Sequence, residues 1–497
     1  MASLLLNIFM FSRYQKILLF VSLAAIFLLV YQPHKSYPYP FHVDEWHHIT
    51  EAIRLANPTN YYHYLTLEPN RPNSGLEVGF HFFLYLISLV TDLVLSYKFL
   101  PAIWASFTGA TLFYIVYKKT ENNYWLAWLA LFFFGSIKTN ANLMGLWFFT
   151  PMTFSLPFIL WYFYFFDKGI QTQTKKNLLL GLLILILLIP FHPLSVLFAL
   201  PILSIYFLIN YKFLIKEYKF FAIFLLPAIV GFVFYKLTHN LSILQTFKNI
   251  FGQLIFSHGW GVLELKNSPF ELYNFIVYLF AFLGIYFIFQ QKKQKEFSLF
   301  LIWSLYLILL ILIYRFTGFS LFSPYQRNWY YLGLSLPILS AIGFYYTLIK
   351  IKNFNEHPQW ANLSNFFILI ISLITPFFLY GNYYKLPQNT DLYRVISRTD
   401  YKVLEYLKDL PRGTVMANPL ISTAIFPVSG QETVGTIAFY GNRKDAENFY
   451  LSKSCAEKRR IVKKHRVYYV LTKNNLGCVF GTLLKEIGGT KIYKTNI

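Results

Sequence analysis

The chain is organised around apolar runs long enough, or nearly so, to cross a bilayer, such as KILLFVSLAAIFLLVYQ, NLLLGLLILILLIPF and SLFLIWSLYLILLILIY. A membrane-spanning helix needs ~20 apolar residues to cover ~30 Å of hydrocarbon, because every backbone polar group must be paired within it. A transmembrane barrel would instead show alternating strands of about ten residues. Only 13% of the 497 residues are charged, against 56% hydrophobic, so a soluble enzyme of this length is excluded. The chain reads as a polytopic helical membrane protein.

The formal charge of +22 does not point to nucleic acid, because the Lys and Arg residues fall in short clusters between apolar runs, as topology determinants do. Arg13 with Lys16, Lys118 with Lys119, Lys168 with Lys175 and Lys176, Lys212 to Lys219, Lys292 to Lys295, and Lys350 with Lys352 all belong on the cytoplasmic side. An even number of crossings must then separate successive clusters. The run GFHFFLYLISLVTDLVLSYKFL, residues 79–100, is one too many. An interfacial or re-entrant helix over 81–95 removes the conflict.

Eleven spans follow, near 16–32, 98–117, 123–137, 148–166, 176–191, 193–211, 219–237, 270–289, 297–314, 328–349 and 363–381. The first lacks a small-residue cleavage site and is read as a retained helix. The N-terminus is then inside and the C-terminus outside. Residues 1–384 form an all-α membrane domain with a long external loop at 33–97, and 385–497 form an external domain. In that tail DYKVLEYLKDL and AEKRRIVKKH read as helices, TVMAN and VYYVLT as strands, giving a small α/β unit. It carries 19 Lys and Arg against nine Asp and Glu, which suits anionic lipid head groups. The only two cysteines, Cys455 and Cys478, both fall in it and suit a disulfide in an oxidising compartment.

The densest group of titratable residues is FHVDEWHHIT, residues 41–50, directly after the first span. Adjacent carboxylates at a membrane boundary raise each other's pKa unless a cation, proton or hydroxyl donor is close. On a helix starting near Asp44, His48 shares a face with both Asp44 and Glu45, a spacing that can hold a divalent metal. The structural alternative is that Asp44 caps the following helix.

A first span, an external loop opening on an acidic pair, an interfacial helix late in that loop, many further spans and an external α/β tail resemble the GT-C superfamily of polyprenyl-phosphate-sugar-dependent glycosyltransferases, such as the protein O-mannosyltransferases, aminoarabinose transferases and lipid-linked mannosyltransferases. HVDEWHH is similar to the His-Pro-Asp-Glu signature of some of them, with Val43 in place of the proline. The resemblance implies a catalytic pair, with Asp44 as general base in an inverting displacement at the anomeric carbon and Glu45 orienting the acceptor or helping to hold a metal. YQRNWYYLGLSLPIL resembles the arginine-led start of a late helix in the superfamily. Arg327 is thus the first candidate for the donor phosphate and Arg315 the second.

His48, Glu68, Arg71, Glu77 and His192 are candidates for shaping the acceptor site, with Lys138 and His258 behind them. A divalent metal ion is the candidate cofactor, on Glu45 and His48. Expected partners are a polyprenyl-phosphate-linked sugar, a glycan, lipid or protein acceptor, and membrane lipids, but no nucleic acid. No Gly-rich phosphate loop supports a cytoplasmic nucleotide site. The alternatives are a polymerase or ligase of lipid-linked polysaccharides and a transporter or flippase. The early acidic pair argues against the first, the lack of mid-helix charges or inverted repeats against the second.

Overall fold

The computed structural model describes residues 11–55, 77–138, 145–217, 240–257, 269–353, 393–437, 440–478 and 481–496, with scattered residues in 229–237 and 370–383. Among these, four helices are long and apolar enough to cross a membrane: Arg13–Ser36, Leu100–Lys119, Gln294–Thr317 and Tyr325–Lys352. Shorter apolar helices include Tyr124–Gly135 and Phe275–Gln290. The protein is an integral membrane protein. Eleven crossings are not confirmed: the expected span at 193–211 is met by the shorter apolar helix Leu194–Ile209, and those at 219–237 and 363–381 lie largely outside the described residues.

Two compact units emerge from the chain's own contacts. The first takes Met1–Val30, Ala102–Trp147 and Met152–Leu386; the second takes Tyr31–Pro101, Phe148–Pro151 and Pro387–Ile497. The loop after the first span therefore groups with the tail.

In the first unit the helix ends are sorted by charge. Lys119 pairs with Asp167, both side chains buried. Asp167 also accepts from Tyr206 Oη at 2.7 Å and from Gln171 Nε2 at 3.1 Å. Gln171 Nε2 donates onward to the Lys295 carbonyl at 3.3 Å, and Tyr124 Oη donates to the Gln15 carbonyl at 2.6 Å. Residues 15, 119–124, 167–171, 206 and 295 thus share one end of the helices.

The last long helix packs backbone to backbone. A Cβ on Gly284 would stand 2.0 Å from the Leu339 carbonyl oxygen, and one on Gly343 would stand 1.9 Å from that of Phe280. Only glycine permits that approach, the usual basis of close helix contact in lipid.

In the second unit the loop contributes helix α1 (Val43–Leu55) and helix α2 (Val78–Ser88). α2 rises only ~17 Å over its length, about half the hydrocarbon thickness. The expected single helix over 81–95 is in fact two, because Asp92 Oδ1 accepts from the Leu95 amide at 3.0 Å and starts a new turn at Leu93–Ser96.

The tail is an α/β unit. Its strands are β1 (Thr414–Met416), β2 (Glu432–Thr433), β3 (Val467–Thr472), β4 (Gly481–Ile487) and β5 (Thr490–Thr495). They form one sheet in the order β2-β1-β3-β5-β4, with β1 parallel to β2 and β3 and the remaining pairs antiparallel. Helices Arg443–Leu451 and Cys455–Lys464 cover it, and Met416, Phe449, Ile461, Val462, Val467 and Val470 make its core. Cys455 and Cys478 are disulfide-bonded, with Cα atoms 5.8 Å apart.

The tail contacts α1 and the residues just before it. The Arg394 amide donates to the Phe41 carbonyl at 2.7 Å, beside a His42–Tyr393 bridge. Farther along, Arg54 pairs with Glu432 at 2.8 Å and lies 4.3 Å over the Phe426 ring.

Candidate functional site

α1 begins at Val43, so Asp44 and Glu45 lie inside its first turn, where the helix dipole favours negative charge. The capping role expected for Asp44 falls to Glu45 instead. From the third helical position its Oε2 reaches back to accept from the Phe41 amide at 2.7 Å and the His42 amide at 3.0 Å, one half of a capping box. Oε1 accepts from the Phe149 amide at 2.7 Å, drawing in a segment 104 residues away.

Glu45 is fully buried. Burial pushes its carboxyl up to about 8, against the pull of the three amides. Both Glu45 oxygens thus accept main-chain amides, and the side chain is buried. Asp44, one residue earlier, points the other way. Its side chain is 29% exposed, with Oδ2 3.6 Å from His42 Nδ1. Of the acidic pair, Asp44 is the carboxylate that is partly exposed.

His48 faces α2. Its Nδ1 lies 2.9 Å from His81 Nε2 and 3.9 Å from Glu77 Oε2. These three residues form a group whose ligand atoms all lie within 4.8 Å of one another. Among the described residues the group with metal-capable spacing is therefore His48, Glu77 and His81. The sequence reading missed His81 as a site residue; the signal was Glu77 and His81 four apart at the start of an apolar helix. His47 packs beside them with ring centroids 5.3 Å from His48, and burial lowers its pKa to about 4.

In the first unit the two arginines separate clearly. Arg315 is exposed at the end of its helix; its Nε donates to Tyr325 Oη at 3.0 Å and its guanidinium sits 5.9 Å over Trp329. Arg327 stands half-buried in the first turn of helix α3 (Tyr325–Asn353). Its Nη1 approaches Met152 Sδ at 2.9 Å, a weak acceptor, and its buried Nε has no hydrogen-bond partner among the described residues. Among the described residues the Arg327 guanidinium therefore has a weak acceptor at Nη1 and none at Nε.

His192 is buried in the turn before Leu194–Leu197. Its Nδ1 lies 2.7 Å from Ser195 Oγ, which in turn meets Ser155 Oγ at 2.7 Å and Tyr331 Oη at 3.1 Å. Burial, reinforced by the nearby Arg327 charge, holds its imidazole well below the usual range. Lys138 Nζ donates to the Phe270 carbonyl at 2.8 Å. Glu68, Arg71 and His258 lie outside the described residues.

No family model and no curated protein matches the sequence. Solved structures do. The Archaeoglobus fulgidus oligosaccharyltransferase in complex with Zn and sulfate aligns at a TM-score of 0.54 and 12% identity over 91% of this chain and 67% of that one. The archaeal oligosaccharyltransferase AglB from the same organism, bound to an inhibitory peptide and a dolichol-phosphate, gives 0.54 and 12% over 93% and 70%. The form tethered to an acceptor peptide containing the NVT sequon gives 0.51 and 13% over 91% and 69%. At this identity the likeness is one of fold: the chain shares the fold of these archaeal oligosaccharyltransferase structures.

Proposed function

We propose that this protein is an inverting glycosyltransferase that moves a hexosyl or pentosyl unit from a polyprenyl-phosphate donor to a glycan, lipid or protein acceptor on the extracytoplasmic side. Residues 1–384 are its catalytic membrane domain, and 385–497 an external domain whose basic surface rests on lipid head groups. The observation that carries the reading is Arg327, a half-buried guanidinium without a carboxylate partner among the described residues, at the N-terminal turn of a membrane helix. Bidentate hydrogen bonding and the helix dipole both favour a phosphate there.

The chemistry follows from the two side chains. As an acceptor hydroxyl attacks the anomeric carbon, Asp44 takes its proton, and the sugar–phosphate bond breaks with its electron pair on the phosphate oxygen. Arg327 neutralises that charge. A single displacement inverts the anomeric centre and requires no carboxylate nucleophile, so the structural use of Glu45 is no obstacle. His192, kept neutral, fixes the Ser155–Ser195–Tyr331 cluster behind Arg327. Glu68, Arg71 and Glu77 shape the acceptor side.

The test is sugar transfer by purified protein from a panel of radiolabelled polyprenyl-phosphate sugars, offered glycan, lipid and peptide acceptors, with wild type beside Asp44→Asn. Transfer by the wild type alone supports the reading. Well-folded wild-type protein that uses no donor refutes it.

A further inference from the structure

We propose that His48, Glu77 and His81 form a divalent-metal site of the zinc class that clasps α2 to α1. The site goes beyond the transfer reaction, and its test is independent of whether that reaction is as proposed.

Three observations carry it. The first is ligand chemistry: two imidazoles and one carboxylate suit Zn²⁺ and its transition-metal neighbours, whereas Mg²⁺ and Ca²⁺ favour sets built from oxygen. The second is spacing. An ion with bonds of ~2.0–2.1 Å in tetrahedral geometry holds its ligand atoms about 3.3 Å apart. His48 Nδ1 to His81 Nε2 at 2.9 Å and His48 Nδ1 to Glu77 Oε2 at 3.9 Å bracket that value, and all three atoms lie within 4.8 Å of one another. The third is support. Both histidines are buried on helices, and Glu77 sits at the N-cap of α2, four residues and one turn before His81.

Three protein ligands leave a fourth position for water, as in open zinc sites. An ion there would join points 33 residues apart in the chain, so its binding would contribute directly to the stability of this unit. It would also fix the roll of α1, one turn from Asp44. It takes no part in proton transfer.

The experiment uses the full chain in detergent or nanodiscs, stripped with a chelator and titrated with Zn²⁺ and, separately, Co²⁺. The expected result is one ion per chain by elemental analysis, and with Co²⁺ the intense visible d–d absorption of a four-coordinate nitrogen and oxygen set. His81→Ala should lose the ion, Glu77→Gln should weaken it at least tenfold, and Asp44→Asn should keep full stoichiometry. Should His81→Ala fold poorly, the Co²⁺ spectrum of the wild type still decides.

Absence of stoichiometric binding by the wild type overturns the proposal, leaving a His48–His81 hydrogen bond in its place. Undiminished binding by folded His81→Ala overturns it as well. Loss of stoichiometric Zn²⁺ on Asp44→Asn would move the ion to the acidic turn and overturn it too.

Discussion

The acidic turn of α1 and the arginine-led turn of α3 both take an ionisable side chain out of water, but they treat it in opposite ways. Around Glu45 the main chain supplies three N–H donors to two oxygens. Around Arg327 the described residues supply one sulfur and leave Nε without a partner. Burying an ionised group without compensation costs several kcal/mol. Glu45 is thus fully engaged by the main chain, whereas Arg327 keeps hydrogen-bonding capacity that the proposed function assigns to the donor phosphate. Asp44, beside Glu45, is partly exposed, and the proposed function uses it as the base.

The comparison breaks most visibly at Asp44. Asp44→Asn should lower kcat by roughly a thousandfold, within the range general-base catalysis contributes, while donor affinity changes less than about threefold. Single-turnover transfer and lipid-binding titration together check this; an unaltered kcat would return Asp44 to a structural role.

Next comes Arg327. Arg327→Gln should reduce kcat/KM by about a hundredfold, mostly through donor binding, and Arg327→Lys should recover part of the loss because a point charge replaces a fork. Equal defects in Lys and Gln variants would show that charge is not what matters there.

Glu45 should answer in stability. Glu45→Gln leaves one amide donor facing an NH₂ group and should cost about 1–3 kcal/mol of unfolding free energy, measured by thermal or denaturant melts. Because folding raises this carboxyl from 4.5 to about 8, the folded chain keeps a proton that the unfolded chain releases. Its contribution is fully present below about pH 4.5 and is lost as pH rises towards 8. Glu45→Gln should flatten that slope, and a slope unchanged by the substitution would contradict the assignment.

The smallest effect belongs to Arg315, exposed and already engaged with Tyr325 and Trp329. Arg315→Gln should change kcat/KM by less than about threefold in the same assay, consistent with the modest worth of surface charges. A loss as large as that at Arg327 would make the two arginines a joint clamp.

Much of the fold was legible because local rules govern it. Apolar length sets membrane helices, and residues 15, 119, 167 and 295, at or beside basic clusters, lie at one end of them. The tail's helices and strands follow their periodicity, with VYYVLT forming β3 and AEKRRIVKK most of Cys455–Lys464. The 81–95 run misled because apolarity hid a local competitor, the Asp92 carboxylate capping a fresh turn.

The candidate site was legible as a place and not as roles. The sequence by itself determined a membrane protein with an acidic turn after its first span, an arginine opening a late helix, and two cysteines in one small domain. Only tertiary structure decided which of two adjacent carboxylates turns inward. Successive residues on a helix point about 100° apart, and the donor that completes the Glu45 clamp, the Phe149 amide, lies 104 residues along the chain. His48 likewise meets His81 across 33 residues. Periodicity fixes what a segment becomes, but the partner of a buried polar atom is chosen by packing, which no local pattern encodes.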